Sequence, residues 1–349
     1  MNIIEYIEKN KEKTFEEKVF NEVDNIILSI LSYLDFNKLV NNNGTLEDIG
    51  KKFLKKYTYK EVSKLGIPQK DAYRCLEKMI NTKRYKNIKI LDYIYLGTKE
   101  EQFSAVTFKI KKDLIYVAFE GTDNLMSGWK EDFQLSYMYP IISQKHAIKY
   151  LNKTIKIFGP KVIVGGHSKG GNLALASAME MNILKKSKII KIYNNDGPGL
   201  RKKEFESKKY NTIKNKYIHI IPYNSFIGIM LRNSNYKIVE SSRKTILSHY
   251  PISWIVEKNN FKETELRQKS KELEKNVLEW LNNHNDFERK IMIDNVFKIF
   301  ETCKITDTRN LKKLKYIIKV INEVRNIDEQ TKKLAVSFIT YNFFNKNKI

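Results

Sequence analysis

The sequence predicts an α/β fold: a mostly parallel sheet flanked by helices, with helical extensions at both ends. Two observations carry this expectation. From residue 161 onward, apolar β-branched runs recur across helix-sized gaps, the spacing of strands joined by crossover helices. One of these runs, Val162-Ile163-Val164, passes through Gly165-Gly166-His167-Ser168-Lys169-Gly170 straight into the helix-compatible Asn172-Leu173-Ala174-Leu175-Ala176. That is Gly-x-Ser-x-Gly between a strand and a helix, the context that gives the motif meaning.

Taken in order, residues 1 to about 80 read as helical. Glu22 to Leu34 places apolar residues at helical spacing, Asn41-Asn42-Asn43-Gly44-Thr45 reads as a turn, and Thr45-Leu46-Glu47-Asp48 opens a capped helix. Three strands, roughly 87–96, 103–110 and 114–120, form an antiparallel meander with turns at Gly97-Thr98-Lys99-Glu100 and Lys111-Lys112-Asp113. A helix suits 143–158. The motif strand runs over 161–165 and its helix over about 170–184. Further strands are expected at 189–193, 217–221 and 236–240. Beyond about 258 the pattern is helical and highly charged. Three regions follow: a helical segment over 1–80 packed on the core, an α/β core over 81–257 and a charged helical extension over 258–349.

Composition bounds the function. The 349 residues include 42% hydrophobic and 12% aromatic side chains, enough for a sizeable core. No run of about 18 apolar residues predicts a membrane span. The first residues, Met1-Asn2-Ile3-Ile4-Glu5, carry charge where a secretory leader needs an apolar stretch. The two cysteines, Cys75 and Cys303, are far apart and lack the spacing of a zinc set. A cytoplasmic protein without metal or organic cofactor is expected. The formal net charge of +24 is spread along the chain, mostly as lysine, and arginine is sparse. This argues against a specific nucleic-acid ligand and leaves room for weak attraction to an anionic membrane. The oligomeric state is left open.

The chemistry centres on Ser168. A sharp strand-to-helix turn needs small neighbours, which Gly166 and Gly170 supply, and the helix N-terminus favours developing negative charge. A serine nucleophile needs a base. Of the five histidines, His146 precedes the serine, His167 sits inside the turn, His219 lies mid-strand and His284 lies in the charged tail. His249 follows the last strand and is the candidate base. The orienting group is Asp196, after the strand at 189–193, or alternatively Asn224, after the next strand. Asp196 also suits a Gly-Pro turn. Oxyanion donors are expected from the Lys169 N–H and from Thr122 in Phe119-Glu120-Gly121-Thr122-Asp123, after an earlier strand.

These residues carry a resemblance. Phe119-Glu120-Gly121-Thr122-Asp123, followed by Gly128-Trp129-Lys130-Glu131-Asp132-Phe133, resembles the oxyanion segment of class 3 lipases, and Gly166-His167-Ser168-Lys169-Gly170-Gly171 looks like their serine turn. More narrowly, Phe20 to Asn25, Asp196-Gly197-Pro198-Gly199 and Ser248-His249-Tyr250-Pro251 are similar to the bacterial Mbeg-like group, over about residues 15–257. The resemblance implies an α/β-hydrolase fold, Ser168 as nucleophile, Thr122 as oxyanion donor and His249 as base. Two departures stand out. Glu120 replaces the usual arginine, which alters local charge, and Asn224 stands about where those lipases place their acid.

The leading expectation is therefore a serine hydrolase cleaving a carboxylic ester, lipid-like or acyl, through an acyl-enzyme on Ser168. The alternatives are a catalytically weak or silent hydrolase-fold interaction module, which the Asn224 departure favours, and a basic membrane- or nucleic-acid-surface binder. Acyl chain and head group are not specified by the sequence.

Overall fold

A computed structural model describes residues 1–40, 44–98 and 101–339. Asn41 to Asn43 of the first expected turn, Lys99 and Glu100 of the second, and 340–349 of the charged tail lie outside the described residues.

Seven strands form one sheet: β1 (Lys89–Gly97), β2 (Gln102–Lys111), β3 (Leu114–Phe119), β4 (Lys161–His167), β5 (Ile189–Asn195), β6 (Tyr217–Pro222) and β7 (Tyr236–Val239). Their spatial order is their chain order. β1, β2 and β3 are antiparallel neighbours, and β3 through β7 pair in parallel. This is the mostly parallel, helix-flanked sheet that the sequence predicts. Strands β3 and β4 are buried on both faces, which is why they read as near-continuous apolar runs.

The strand order decides where the helices go. Right-handed crossovers that all step in one direction deliver their helices to a single face. Thus α7 (Ile142–Thr154), α8 (Lys169–Glu180) and the one-turn α11 (Lys208–Asn211) share a cluster with Ile115, Val117, Phe119, Val162, Val164 and Ile192. The alternate residues of the same strands, Tyr116, Ala118, Ile163 and Tyr193, point the other way. No crossover covers them. The first eighty residues do, as α1 (Ile3–Lys9), α2 (Glu22–Leu31), α3 (Leu46–Lys56), α4 (Tyr59–Ser63) and α5 (Ile67–Met79).

A buried ion pair locks this layer. Arg84 donates Nε and Nη2 to the two oxygens of Asp24 at 2.9 and 2.6 Å, and the Tyr85 hydroxyl adds a third bond at 2.6 Å. Both ionic side chains are fully buried. Asp24 also closes the N-terminal box of α2 by accepting the Asn21 N–H.

Several elements were not anticipated. A helix, α6 (Met126–Gln134), follows β3, where Ser127-Gly128 weakens helix propensity and tertiary packing overrides it. The long helix expected to 184 stops at Glu180. Asn182 caps the N-terminus of a separate helix, α9 (Ile183–Lys188), by accepting the Lys185 N–H at 2.9 Å. A short α10 (Lys202–Phe205) precedes α11. A hairpin of β8 (Val256–Glu257) and β9 (Asn260–Phe261) ties to the chain start, since Val256 N–H donates to Met1 O at 2.7 Å.

The charged C-terminal stretch forms α12 (Gln268–Asn283), α13 (Asp286–Thr302), α14 (Leu314–Val324) and α15 (Glu329–Ile339). Trp280, Met292 and Phe297 from these helices cluster with Met126 of α6. Two backbone bonds, Met126 N–H to Thr306 O and Thr308 N–H to Asn124 O, join this layer to the loop after β3. No helix among the described residues is long and apolar enough to cross a membrane.

Candidate active site

The site begins at the β4–α8 turn. Ser168 has φ 58° and ψ −133°, a strained region for a residue with a side chain. Close backbone approach explains the glycines around it. A Cβ on Gly170 would lie 2.1 Å from Phe119 O of the neighbouring strand, and one on Gly166 would lie 2.3 Å from the Gly170 carbonyl. The strain is held from β5, because the Ser168 N–H donates to Asn195 O at 2.9 Å. The Ser168 side chain is half-buried and makes no hydrogen bond among the described residues.

One residue past β5 lies Asp196, also at positive φ, 52°. Its carboxylate is fully buried, and Oδ2 lies 2.7 Å from His249 Nδ1. Oδ1 accepts from the Ser225 hydroxyl at 2.5 Å and the Gly228 N–H at 3.1 Å. Burial pushes the carboxyl above the ordinary carboxylate range, and the His249, Ser225 and Gly228 contacts oppose that rise.

His249 ends a 3₁₀ turn, Ile246–His249, whose neighbour Ser248 is clamped by the Trp254 indole N–H donating to its carbonyl at 2.8 Å. A second histidine supports it. His167 Nε2 lies 2.8 Å from the His249 carbonyl, which can only accept, so Nε2 carries the proton. His167 Nδ1 is then the acceptor for the Tyr33 hydroxyl at 3.0 Å. Burial drives the His167 ring well below the ordinary histidine range, which keeps it neutral. The two imidazoles lie with centroids 4.4 Å apart. The chain Tyr33–His167–His249 C=O thus fixes the backbone that carries the His249 ring.

The loop after β3 closes the site. A Cβ on Gly121 would sit 3.0 Å from Ser168 Cβ and 2.1 Å from the Tyr33 oxygen, so only glycine lets the loop approach the serine. The Thr122 hydroxyl bonds Asp132 Oδ2 at 2.6 Å. Asp132 Oδ1 is buried without a partner, and burial pushes this carboxyl up to about 6. When Asp132 is ionised the Thr122 hydroxyl hydrogen is committed to it, which leaves the Thr122 N–H as that residue's free donor. Lys169 is the first residue of α8, so its N–H has no acceptor within the helix.

The Lys169 side chain points elsewhere. Its fully buried ammonium is saturated by Glu131 Oε2 at 3.0 Å, Gln102 Oε1 at 2.7 Å and Gln102 O at 3.2 Å. It pins the start of α8 to α6 and β2.

Glu120 is buried too, with Gln102 Nε2 3.3 Å from Oε2. Burial first, then the nearby Asp123, holds its carboxyl well above the ordinary range.

Asn224 does not meet His249. Its Nδ2 donates to Lys244 O at 3.2 Å, its Oδ1 accepts from Arg267 at 3.3 Å, and its carbonyl accepts from Ser248. It braces the loop on which His249 sits. Of the remaining histidines, His146 pairs with Glu101, His284 stacks on Trp280, and His219 is buried in β6 with its ring pushed down to about 3 by burial.

The N-terminal layer reaches this site directly. Asn25 Nδ2 donates to Asn195 Oδ1 at 2.9 Å, Ser29 bonds Tyr116, and Asn195 Nδ2 donates to Gly166 O at 2.9 Å. With Tyr33, these residues recur every four positions along and just past α2, on the face turned to the serine turn. A cavity of about 270 Å³ lies against the same loop, lined by Tyr33, Leu34, Tyr93, Tyr95, Glu120 and Asp123. Among the described residues no group of three or more His, Cys, Asp or Glu side chains could hold a metal ion.

With the geometry in place, comparison with known proteins gives a family. The Mbeg1-like family matches residues 79–298, well over half of the chain. The chain belongs to the Mbeg1-like family. Three solved structures are similar to it at low identity. The M37 lipase shares 16% identity over 60% of this chain and 70% of its own, with a TM-score of 0.37. A fungal lipase–inhibitor complex shares 15% over 62% and 76%, with a TM-score of 0.36. The lipase of Rhizopus microsporus var. chinensis shares 16% over 56% and 70%, with a TM-score of 0.33. No curated protein matches the chain. The family match includes the serine turn, Asp196 and His249, and leaves α1–α4 and α14–α15 outside.

Proposed function

We propose that this Mbeg1-like protein is a serine hydrolase that cleaves a carboxylic ester through an acyl-enzyme on Ser168. The observation that carries this reading is the buried Asp196 carboxylate 2.7 Å from His249 Nδ1, beside a serine held at φ 58° on a strand-to-helix turn. A carboxylate at Nδ1 keeps the proton on that nitrogen and leaves Nε2 free to act as a base.

Ser168 Oγ attacks the ester carbonyl while His249 Nε2 takes its proton. The resulting imidazolium is stabilised by Asp196. The oxyanion is held by the Thr122 and Lys169 N–H groups, and the Thr122 position is fixed through Asp132. Collapse of the tetrahedral adduct expels the alcohol, which receives the proton from His249. Water, activated by the same nitrogen, then releases the acid. The serine-to-histidine hydrogen bond forms in the substrate complex, where such bonds tighten.

The reading as a catalytically silent module rested on Asn224. With Asp196 at Nδ1 and Asn224 bonded to Lys244 and Arg267, the geometry supports turnover instead. The test is hydrolysis of a short-chain nitrophenyl ester. Ser168→Ala and His249→Ala should each lower kcat/KM by at least about two orders of magnitude. Undiminished activity in pure Ser168→Ala protein would overturn the proposal.

A further inference from the structure

The helix α14 leaves one face without a partner. Leu314, Ile317, Ile318, Ile321 and Val324 are all exposed, from 39% for Ile317 to 70% for Leu314. Their spacing of three, four, seven and ten residues from Leu314 sets them on one stripe about 120° wide at about 100° per residue. The helix is not simply a core helix turned inside out, because its opposite face is used. Tyr316 and Val320 pack on the cluster that holds Trp280, Met292 and Phe297.

Charge says what the stripe meets. Lys313, Lys315, Lys319 and Arg325 are exposed, and none of them forms an ion pair among the described residues. Within the helix Glu323 alone opposes them. Lys313 and Lys315 flank the apolar stripe on the helix wheel, each within about 60° of one of its edges at about 100° per residue. The whole chain carries +24, so a second copy would bring like charge to like charge on a stripe only about 16 Å long. An apolar stripe bordered by unpaired lysines instead fits a bilayer that carries anionic headgroups, with the side chains in the acyl boundary and the ammonium groups at the phosphates.

We propose that the outward face of α14 is a docking surface for an anionic lipid bilayer. The surface lies beyond residue 298, where the family match ends, and it stands independently of the serine chemistry. It is also tethered to the site. The 3₁₀ turn Thr308–Lys312 just before α14 donates the Thr308 N–H to Asn124 O at 2.9 Å, and Asp307 bridges to Leu125. Both partners belong to the loop that carries Thr122. The element that leads into α14 is thereby bonded to the loop after β3.

The experiment is flotation of the full chain with vesicles of phosphatidylcholine and phosphatidylglycerol, with pure phosphatidylcholine vesicles in parallel. The chain should float with the anionic vesicles, partition at least about tenfold less onto the neutral ones, and be released as salt rises. Ile318→Gln/Ile321→Gln should weaken anionic binding by at least about tenfold. Lys313→Gln/Lys315→Gln should weaken it and flatten the salt dependence. Ile183→Gln/Leu184→Gln, at the equally exposed residues of α9, should bind as the parent does. All substituted side chains are exposed, so circular dichroism and the unfolding midpoint should be unchanged; if the isoleucine variant fails to fold, the lysine variant still decides. Absence of binding by the parent chain overturns the proposal. So does binding that neither the α14 isoleucine nor the lysine variant weakens, and so does a dimer in sedimentation that the isoleucine variant dissolves, which would assign the face to a second copy.

Discussion

Replacing Asp196 by asparagine should inactivate the protein through a single proton on His249. The two oxygens of Asp196 are not equivalent. Oδ1 accepts from the Gly228 N–H at 3.1 Å and the Ser225 hydroxyl at 2.5 Å, while Oδ2 faces His249 Nδ1 at 2.7 Å. The Gly228 N–H can only donate. An asparagine must therefore keep its oxygen toward Gly228, and its NH₂ turns to His249. The imidazole then has to accept at Nδ1, its proton moves to Nε2, and the nitrogen meant to receive the serine proton already carries one. A wrong tautomer of this kind costs about three to four orders of magnitude in kcat, or about 4–5 kcal/mol of barrier. Asn224→Ala touches neither ring nitrogen and should change kcat by less than about tenfold. The assay is steady-state hydrolysis of a nitrophenyl ester, with the tautomer read from ¹⁵N shifts of labelled histidine. An Asp196→Asn protein that folds, shows the Nε2–H tautomer and keeps kcat within tenfold of the parent would refute the reasoning.

Three further outcomes are expected. His167→Phe removes the bond to the His249 carbonyl and the partner of Tyr33; kcat should fall about tenfold to a hundredfold with KM little changed, as steady-state kinetics will read, because the base is misplaced rather than removed. Lys169→Met strands the buried Glu131 and should cost about 3–5 kcal/mol in urea unfolding, with part recovered in Lys169→Met/Glu131→Gln, whose amide still accepts the Ser143 N–H. Asp132 is pushed up to about 6 from an unfolded value near 3.8, so the folded state binds its proton more tightly. Its contribution to stability is therefore present below pH about 4 and lost as pH rises through about 6. Relative to the parent, Asp132→Asn should gain about 2 kcal/mol between pH 4 and pH 7, measured as the difference in unfolding free energy.

How much of this is legible in the chain differs from part to part, for physical reasons. The β4–α8 turn is readable because its requirement is local: a sharp turn whose backbone meets Phe119 O at 2.1 Å from a would-be Cβ tolerates only glycine, and the glycines are adjacent in sequence. The centre of the sheet is readable because β3 and β4, buried on both faces, are dense apolar runs. The choice between Asp196 and Asn224 is not local. Both follow parallel strands, and what separates them is the positive φ at Asp196, which turns its carboxylate toward a loop 53 residues away. The Lys169–Glu131 pair, the Tyr33–His167 bond and the unpartnered Asp132 oxygen span 38, 134 and no residues respectively, and no pattern in the chain announces them. The role of α2 is hidden for a topological reason. Only the sequential strand order shows that one face of the sheet lacks crossover helices and that the first eighty residues must cover it. The helix α6 is masked by Ser127-Gly128, where packing against α13 rather than propensity decides.

The central claim is that Ser168 is an activated nucleophile whose activation depends on His249. Labelling with a fluorophosphonate probe, located by peptide mass spectrometry, tests it most directly. The account predicts one adduct per chain on Ser168, formed quickly in the parent and slowed by at least about two orders of magnitude in His249→Ala. Ser168 left unmodified in folded parent protein, or labelled at the same rate without His249, would contradict it.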